Sequence, residues 1–216
     1  DYYRNSLTAL NTAFAIDGVF IHVEKNITVN EPVLILNIAD SRDESLIAQP
    51  RNLFVMEEGS SVNIIDDYYT IGEHPFFTNS VIEVVLKNNA SLDHYKIQND
   101  GSNAFHIGTI QVEQSRDSKF TNSTISWGGS LIRNNLNAVL NGENSESHFY
   151  GLYLLKDKQF VDNHTLVDHA VPNCNSNELY KGLIDDKATG VFNGKIMVRK
   201  DAQKTNAYQS NKNILL

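Results

Sequence analysis

The 216-residue sequence contains a single cysteine, Cys174. An intramolecular disulfide is therefore impossible, and a reducing compartment, the cytoplasm, is the expected location. Cations are also few: 18 Lys+Arg against 26 Asp+Glu give a formal charge of -8, with no Lys/Arg-rich block. That balance argues against non-specific binding to nucleic acid or to anionic membrane surfaces. No apolar run approaches membrane-spanning length, and the opening Asp1-Tyr2-Tyr3-Arg4-Asn5-Ser6 has neither the basic nor the apolar stretch of a secretory leader. Several catalytic signatures are missing too. There is no Gly-x-Ser-x-Gly elbow, and Asp17-Gly18 and Trp127-Gly128-Gly129-Ser130 lack the glycine and lysine positions that cradle a phosphate, so the chain itself is not expected to bind ATP.

What the sequence does have is a real core and a repeat. Hydrophobic residues make up 41% and charged residues 20%, enough for one sizeable domain, and no linker interrupts residues 1–216. Helical periodicity is scarce. Short apolar or alternating segments recur instead at Val19–Val23, Val33–Ile38, Leu53–Met56, Val81–Leu86, His106–Val112, Phe149–Leu155 and Lys195–Val198, and these read as strands. A polar turn followed by a small or polar residue, a spacer and an apolar restart appears four times, ending on Val62, Leu92, Phe120 and Phe149. These lie 30, 28 and 29 positions apart. A fixed period in this range signals stacked repeats, and the expected architecture is an all-β parallel solenoid with one coil per repeat and little helix. A sandwich of antiparallel hairpins is the rival.

Few side chains suggest chemistry. The Asp pairs, Asp66-Asp67 and Asp185-Asp186, are expected at solvated corners, and adjacent positions on a strand face opposite ways, so neither pair presents two carboxylates to one substrate. His164, His169 and Cys174, spaced by five, are the only candidates for a metal or cluster site. They lack a compact ligand spacing, and positions five apart on a strand alternate faces. The expectation is one structural thiol and two ordinary histidines. Asn26, Asn89, Asn122 and Asn163 sit in glycosylation sequons that matter only in a secreted protein. A carbohydrate-active β-helix enzyme is the alternative function, and it needs converging carboxylates.

Longer motifs carry a resemblance. Val161-Asp162-Asn163-His164-Thr165, Asp168-His169-Ala170-Val171-Pro172-Asn173-Cys174, Tyr180-Lys181-Gly182, Gly190-Val191-Phe192-Asn193-Gly194-Lys195 and Ala202-Gln203-Lys204-Thr205-Asn206-Ala207 closely resemble the core of the SufB/SufD family of the SUF iron-sulfur cluster assembly system. The likeness continues upstream through Arg133-Asn134, Phe105-His106-Ile107-Gly108-Thr109, Asp93-His94-Tyr95-Lys96 and Pro50-Arg51-Asn52-Leu53 to Leu10-Asn11-Thr12-Ala13-Phe14. Tyr180-Lys181-Gly182 with Val191-Phe192-Asn193-Gly194 is more similar to the SufD branch than to SufB. The resemblance implies a right-handed parallel β-helix that acts as a scaffold subunit and not as an enzyme. It implies pairing with a SufB-like paralogue and work alongside a SufC-like ATPase, with any iron-sulfur cluster held only in the assembled complex. It further implies a core without the family's flanking helical domains, and a homodimer formed through about Phe160 to Tyr208 when the chain is alone. Asn163 and Asn173 stand where relatives often carry histidine.

Overall fold

A computed structural model describes residues 5–216; residues 1–4, most of the opening segment in which a secretory leader was not expected, lie outside the described residues. Among the described residues the chain forms one helix and fifteen strands. Helix α1 (Ser6–Phe14) begins where the Asn5 side chain accepts from the Leu7 N–H (2.9 Å), the usual N-cap arrangement. It is fastened to the outside of the solenoid by Asn11, whose side chain donates to the Pro50 and Asn79 carbonyls (3.1 and 2.9 Å). No described helix is long and apolar enough to cross a membrane.

The strands form a β-solenoid of about seven coils, each giving one strand to each of two parallel sheets. The first sheet holds β1 (Phe20–Val23), β4 (Arg51–Met56), β6 (Phe76–Leu86), β8 (Ala104–Gln114), β10 (Leu131–Leu140), β12 (Phe160–His169) and β14 (Thr189–Val198), with β3 (Leu46–Ala48) beside β6. The second holds β2 (Val33–Ser41), β5 (Ser61–Gly72), β7 (Ser91–Asn99), β9 (Lys119–Ser126), β11 (Glu146–Leu155), β13 (Asn175–Ile184) and β15 (Asn206–Leu215). Each sheet sends alternate side chains into the shared lumen, as the two-residue period of a strand requires. Along one side of that lumen Phe54, Met56, Leu86, Leu92, Phe120 and Phe149 form a continuous apolar column, all fully buried. A smaller cluster of Ile132, Tyr153, Leu155, Val161 and Ile184 fills the other side toward the C-terminal coils.

The expected register holds for three of its four residues. Val62 pairs with Leu92 and Leu92 with Phe120, but Phe120 pairs with Ser147, not with Phe149. The reason lies at the corner. The chain turns through a left-handed residue at Gly59, Asn89, Asp117 and Asn144, and the aligned inward position follows three residues later in every coil. After Asn144 that position is Ser147. Phe149, two residues on and so on the same face, still reaches the column and meets Phe120 edge-on with ring centroids 6.1 Å apart. A second expectation is revised as well. Asp185 and Asp186 do lie at an exposed corner, but Asp66 is fully buried inside β5 while Asp67 faces out.

Replacing Leu92 by Asp places an unpaired carboxylate between Val62 and Phe120, and a loss of more than about 3 kcal/mol in unfolding free energy is expected. Chemical denaturation measures it, and a midpoint matching the parent's would contradict the stacked register.

Candidate functional site

Between the two apolar clusters the lumen is polar. On β7 the inward positions read Leu92, His94, Lys96 and Gln98, all buried, so one apolar residue is followed by three hydrogen-bonding ones on the same face. Lys96 is fully enclosed. Its ammonium donates to Asn134 Oδ1 (3.3 Å) and lies 5.3 Å from the centre of the Tyr68 ring. Space for it comes from Gly108 on β8, where a Cβ would stand 2.2 Å from Lys96 Nζ. Two buried carboxylates, Asp66 and Asp100, act electrostatically on this single ammonium.

The histidines here are neutral by construction. His106 Nδ1–H donates to Asp100 Oδ2 (2.9 Å), which leaves Nε2 to accept from Ser80 Oγ (3.5 Å). His94 Nδ1 accepts from Asn122 Nδ2 (2.9 Å), so its proton sits on Nε2, 3.9 Å from Asp66 Oδ2 and outside hydrogen-bond reach. Burial, reinforced by the Lys96 charge, pushes His94 down to about 3 and lowers His106 as well. Burial also pushes Lys96 down to about 8, against the pull of Asp66 and Asp100. Asp66 moves up to about 6 for the same reason, held back by Lys96 and by the Asn37 side chain that donates to it (2.7 Å). Further along, Asn134 donates to Gln98 Oε1 and to Asn163 Oδ1 (3.0 and 3.1 Å). Toward the C-terminal end Thr165 donates to Glu178 (2.5 Å), a carboxyl that burial pushes up to about 7.

The three residues singled out by spacing are not brought together. His164 points outward and meets Asp162 Oδ1 (2.9 Å), a carboxylate that also takes Arg133 Nη1 (2.6 Å). His169, on the opposite face of β12, is buried in the lumen with Nε2 3.0 Å from Ser176 Oγ. Cys174 follows the left-handed corner residue Asn173, at the position that Ser60, Ala90, Ser118 and Ser145 fill in earlier coils. Its sulfur lies 3.4 Å from Ser145 Oγ and 3.4 Å from the Gly142 carbonyl. Among the described residues no three His, Cys, Asp or Glu side chains converge as metal ligands. The Lys96 cluster escaped the sequence reading. Its signal was the alternation of His94, Lys96 and Gln98 in phase with Leu92, which places them inside once the strand is accepted.

Lys96→Met keeps the length of the side chain but leaves Asp66 and Asp100 without their shared counter-charge, so a loss of about 3 kcal/mol is expected. Asp66 already titrates above its unfolded value of 3.8, so the folded state binds the extra proton and stability falls as pH rises from that value to about 6. Without Lys96 that window extends upward, so the deficit of the variant grows as pH is raised past 6. Adding Asp66→Asn restores much of the loss. Equal stability of parent and single variant at pH 8 in chemical denaturation would contradict the buried pairing.

Comparison with known proteins agrees with this architecture along the chain. The family described as SUF system FeS cluster assembly, SufBD core domain, matches residues 37–216, and the SufBD protein N-terminal region matches residues 1–35, where α1 lies. An iron-sulfur cluster assembly SufBD family protein of Synechocystis is 31% identical over 215 residues, covering 96% of this chain and 48% of the relative. The iron-sulfur cluster assembly protein SufD of Escherichia coli is 26% identical over 209 residues, covering 96% and 49%. A chloroplastic protein of Arabidopsis thaliana is 28% identical over 217 residues, covering 96% and 45%. The chain thus spans about half the length of the curated relatives it matches. With the core domain matched over most of its length, this chain belongs to the SufBD family of iron-sulfur cluster assembly proteins.

Proposed function

We propose that this chain is the solenoid core of a SufD-like accessory subunit, which pairs with a SufB-like paralogue and works with a SufC-like ATPase to assemble iron-sulfur clusters in the cytoplasm. The observation that carries the reading is the SufBD core match over residues 37–216. The geometry supports a scaffold role. Strands β14 and β15 are the last strands of their sheets among the described residues, and in this reading a partner pairs with the solenoid in this region. Tyr208, Ile214 and Leu215 on β15 are largely exposed there. In the absence of a paralogue, the same reading has a second copy take its place by isologous pairing, giving a homodimer.

The cluster is cargo in this reading, and the ligands for it come from the assembled complex. Cys174 has the burial and the hydrogen bonding of a corner residue, and serine already fills the equivalent place in the neighbouring coil. The test has two parts. The full-length protein should co-purify with its SufB-like and SufC-like partners, and failure to capture either would overturn the pairing. Anaerobic reconstitution of the 216-residue chain with iron and sulfide should give equally little cluster for the parent and for Cys174→Ser. A stoichiometric cluster on the parent that is lost in the variant would make this chain a cluster carrier.

A further inference from the structure

The outer faces of the two sheets differ. In register across the first sheet, a row of outward positions reads Leu53, Glu83, Gln111, Asn137 and Leu166, the mixed composition of a solvated surface. Across the second sheet the corresponding row reads Leu36, Asp67, Ile97, Ile125, Leu152 and Lys181. Large side chains flank that row on both sides, among them Tyr69, Tyr95, Tyr150 and Leu183, each more than a third exposed. Helix α1 packs on β6 of the first sheet and so does not cover them. A parallel sheet that is apolar on both faces is normally covered on both, and a continuous exposed apolar face marks an interaction surface.

The two charges in the row select what covers it. Asp67 on β5 and Lys181 on β13 stand at the same position along their strands, two strands to either side of Ile125 on β9. A two-fold axis running along β9 above Ile125 lays this face on a second copy of itself, keeping each row and reversing the order of the coils. Asp67 then meets Lys181 of the second copy, and the reciprocal pair forms at the other end. Between them Ile97 meets Leu152 and Ile125 meets its own copy, while Tyr95 faces Tyr150 in one flanking row and Tyr69 faces Leu183 in the other. Charges of one sign at these two positions would repel under the same operation. The axis also suits the geometry of sheet packing, which keeps strand directions within about 30°. Six strands, β2 to β13, spaced about 4.8 Å apart and used over about 17 Å of their length, present roughly 500 Å² per copy. A pair therefore buries about 1,000 Å², the lower end of the range for a specific interface. We propose that the outer face of the second sheet is a self-association surface. A second copy of this chain packs on it face to face, with Asp67–Lys181 pairs closing both ends.

Sedimentation of the 216-residue chain tests this by charge reversal. Asp67→Lys and Lys181→Asp should each weaken self-association about tenfold at an unchanged melting temperature. The double variant restores opposite charges across the axis and should return to within about threefold of the parent. Gln111→Lys, which adds a charge to the outer face of the first sheet, should change nothing. Association through the end strands β14 and β15 is indifferent to Asp67→Lys, so this surface and the pairing proposed above fail separately. Ser123, on β9 beside the axis, gives a second readout in the full-length protein, where Ser123→Cys should be joined to its own copy by a short bismaleimide and the parent should not. A parent that stays monomeric at about 100 micromolar, charge reversals without effect, or a double variant as weak as either single one would overturn the proposal. So would a Ser123→Cys thiol that a simple maleimide cannot reach in the monomeric full-length protein, since another segment of the same chain would then cover the face.

Discussion

Between the first sheet and the second the backbone turns through a residue at positive φ in coil after coil: Asn26, Gly59, Asn89, Asp117, Asn144, Asn173 and Lys204. Asparagine, aspartate and glycine dominate because they tolerate the left-handed region at little cost. At most of these corners the same residue's N–H donates along the axis to the next coil, as in Asn26 to Glu58, Gly59 to Asn88, Asn89 to Arg116 and Asp117 to Glu143, each at 2.9 Å. The corner thus sets the direction of the chain and the coil spacing at once. It also fixes phase, because the residue three positions later enters the lumen in every coil. At the five inner corners the next residue is small and buried: Ser60, Ala90, Ser118, Ser145 and Cys174.

With phase set in this way, the lumen does not depend on apolar residues alone. The apolar column from Phe54 to Phe149 holds one side of the stack, and the ladders of the two sheets satisfy the backbone. The remaining space then accommodates Asp66, Lys96, Asp100 and the neutral His94 and His106, provided each finds partners. This arrangement ties the fold to its charge state, since burial and the Lys96 ammonium together determine which of these groups carry protons.

Much of the fold was legible in the sequence because the corners repeat. Val62, Leu92 and Phe120 revealed the period, and strands with apolar inward residues, such as those around Val81–Leu86 and His106–Val112, were visible by alternation. Several of the strands that escaped detection line the polar lumen. In β13 the inward residues are Ser176, Glu178, Tyr180, Gly182 and Ile184, which hide the two-residue period that burial imposes. The same property hid the Lys96 cluster, since a polar lumen breaks the rule that alternating apolar residues mark the inside. His164, His169 and Cys174 were conspicuous by type and spacing, yet strand parity sends the two histidines to opposite faces and the corner takes the thiol. Helix α1 left little trace, being short and held by Asn11 and not by an apolar stripe.

If the corners organise the stack, their amides must be as protected as the strands they join. Hydrogen exchange read at Gly59, Asn89 and Asp117 tests this directly, because each N–H is committed to the next coil and not to solvent. The account predicts protection at these three positions comparable with that of Leu92 and Phe120 in the adjoining strands. Exchange at the rate of an exposed loop, with the strands still protected, would show that the corners only connect the coils and do not hold them together.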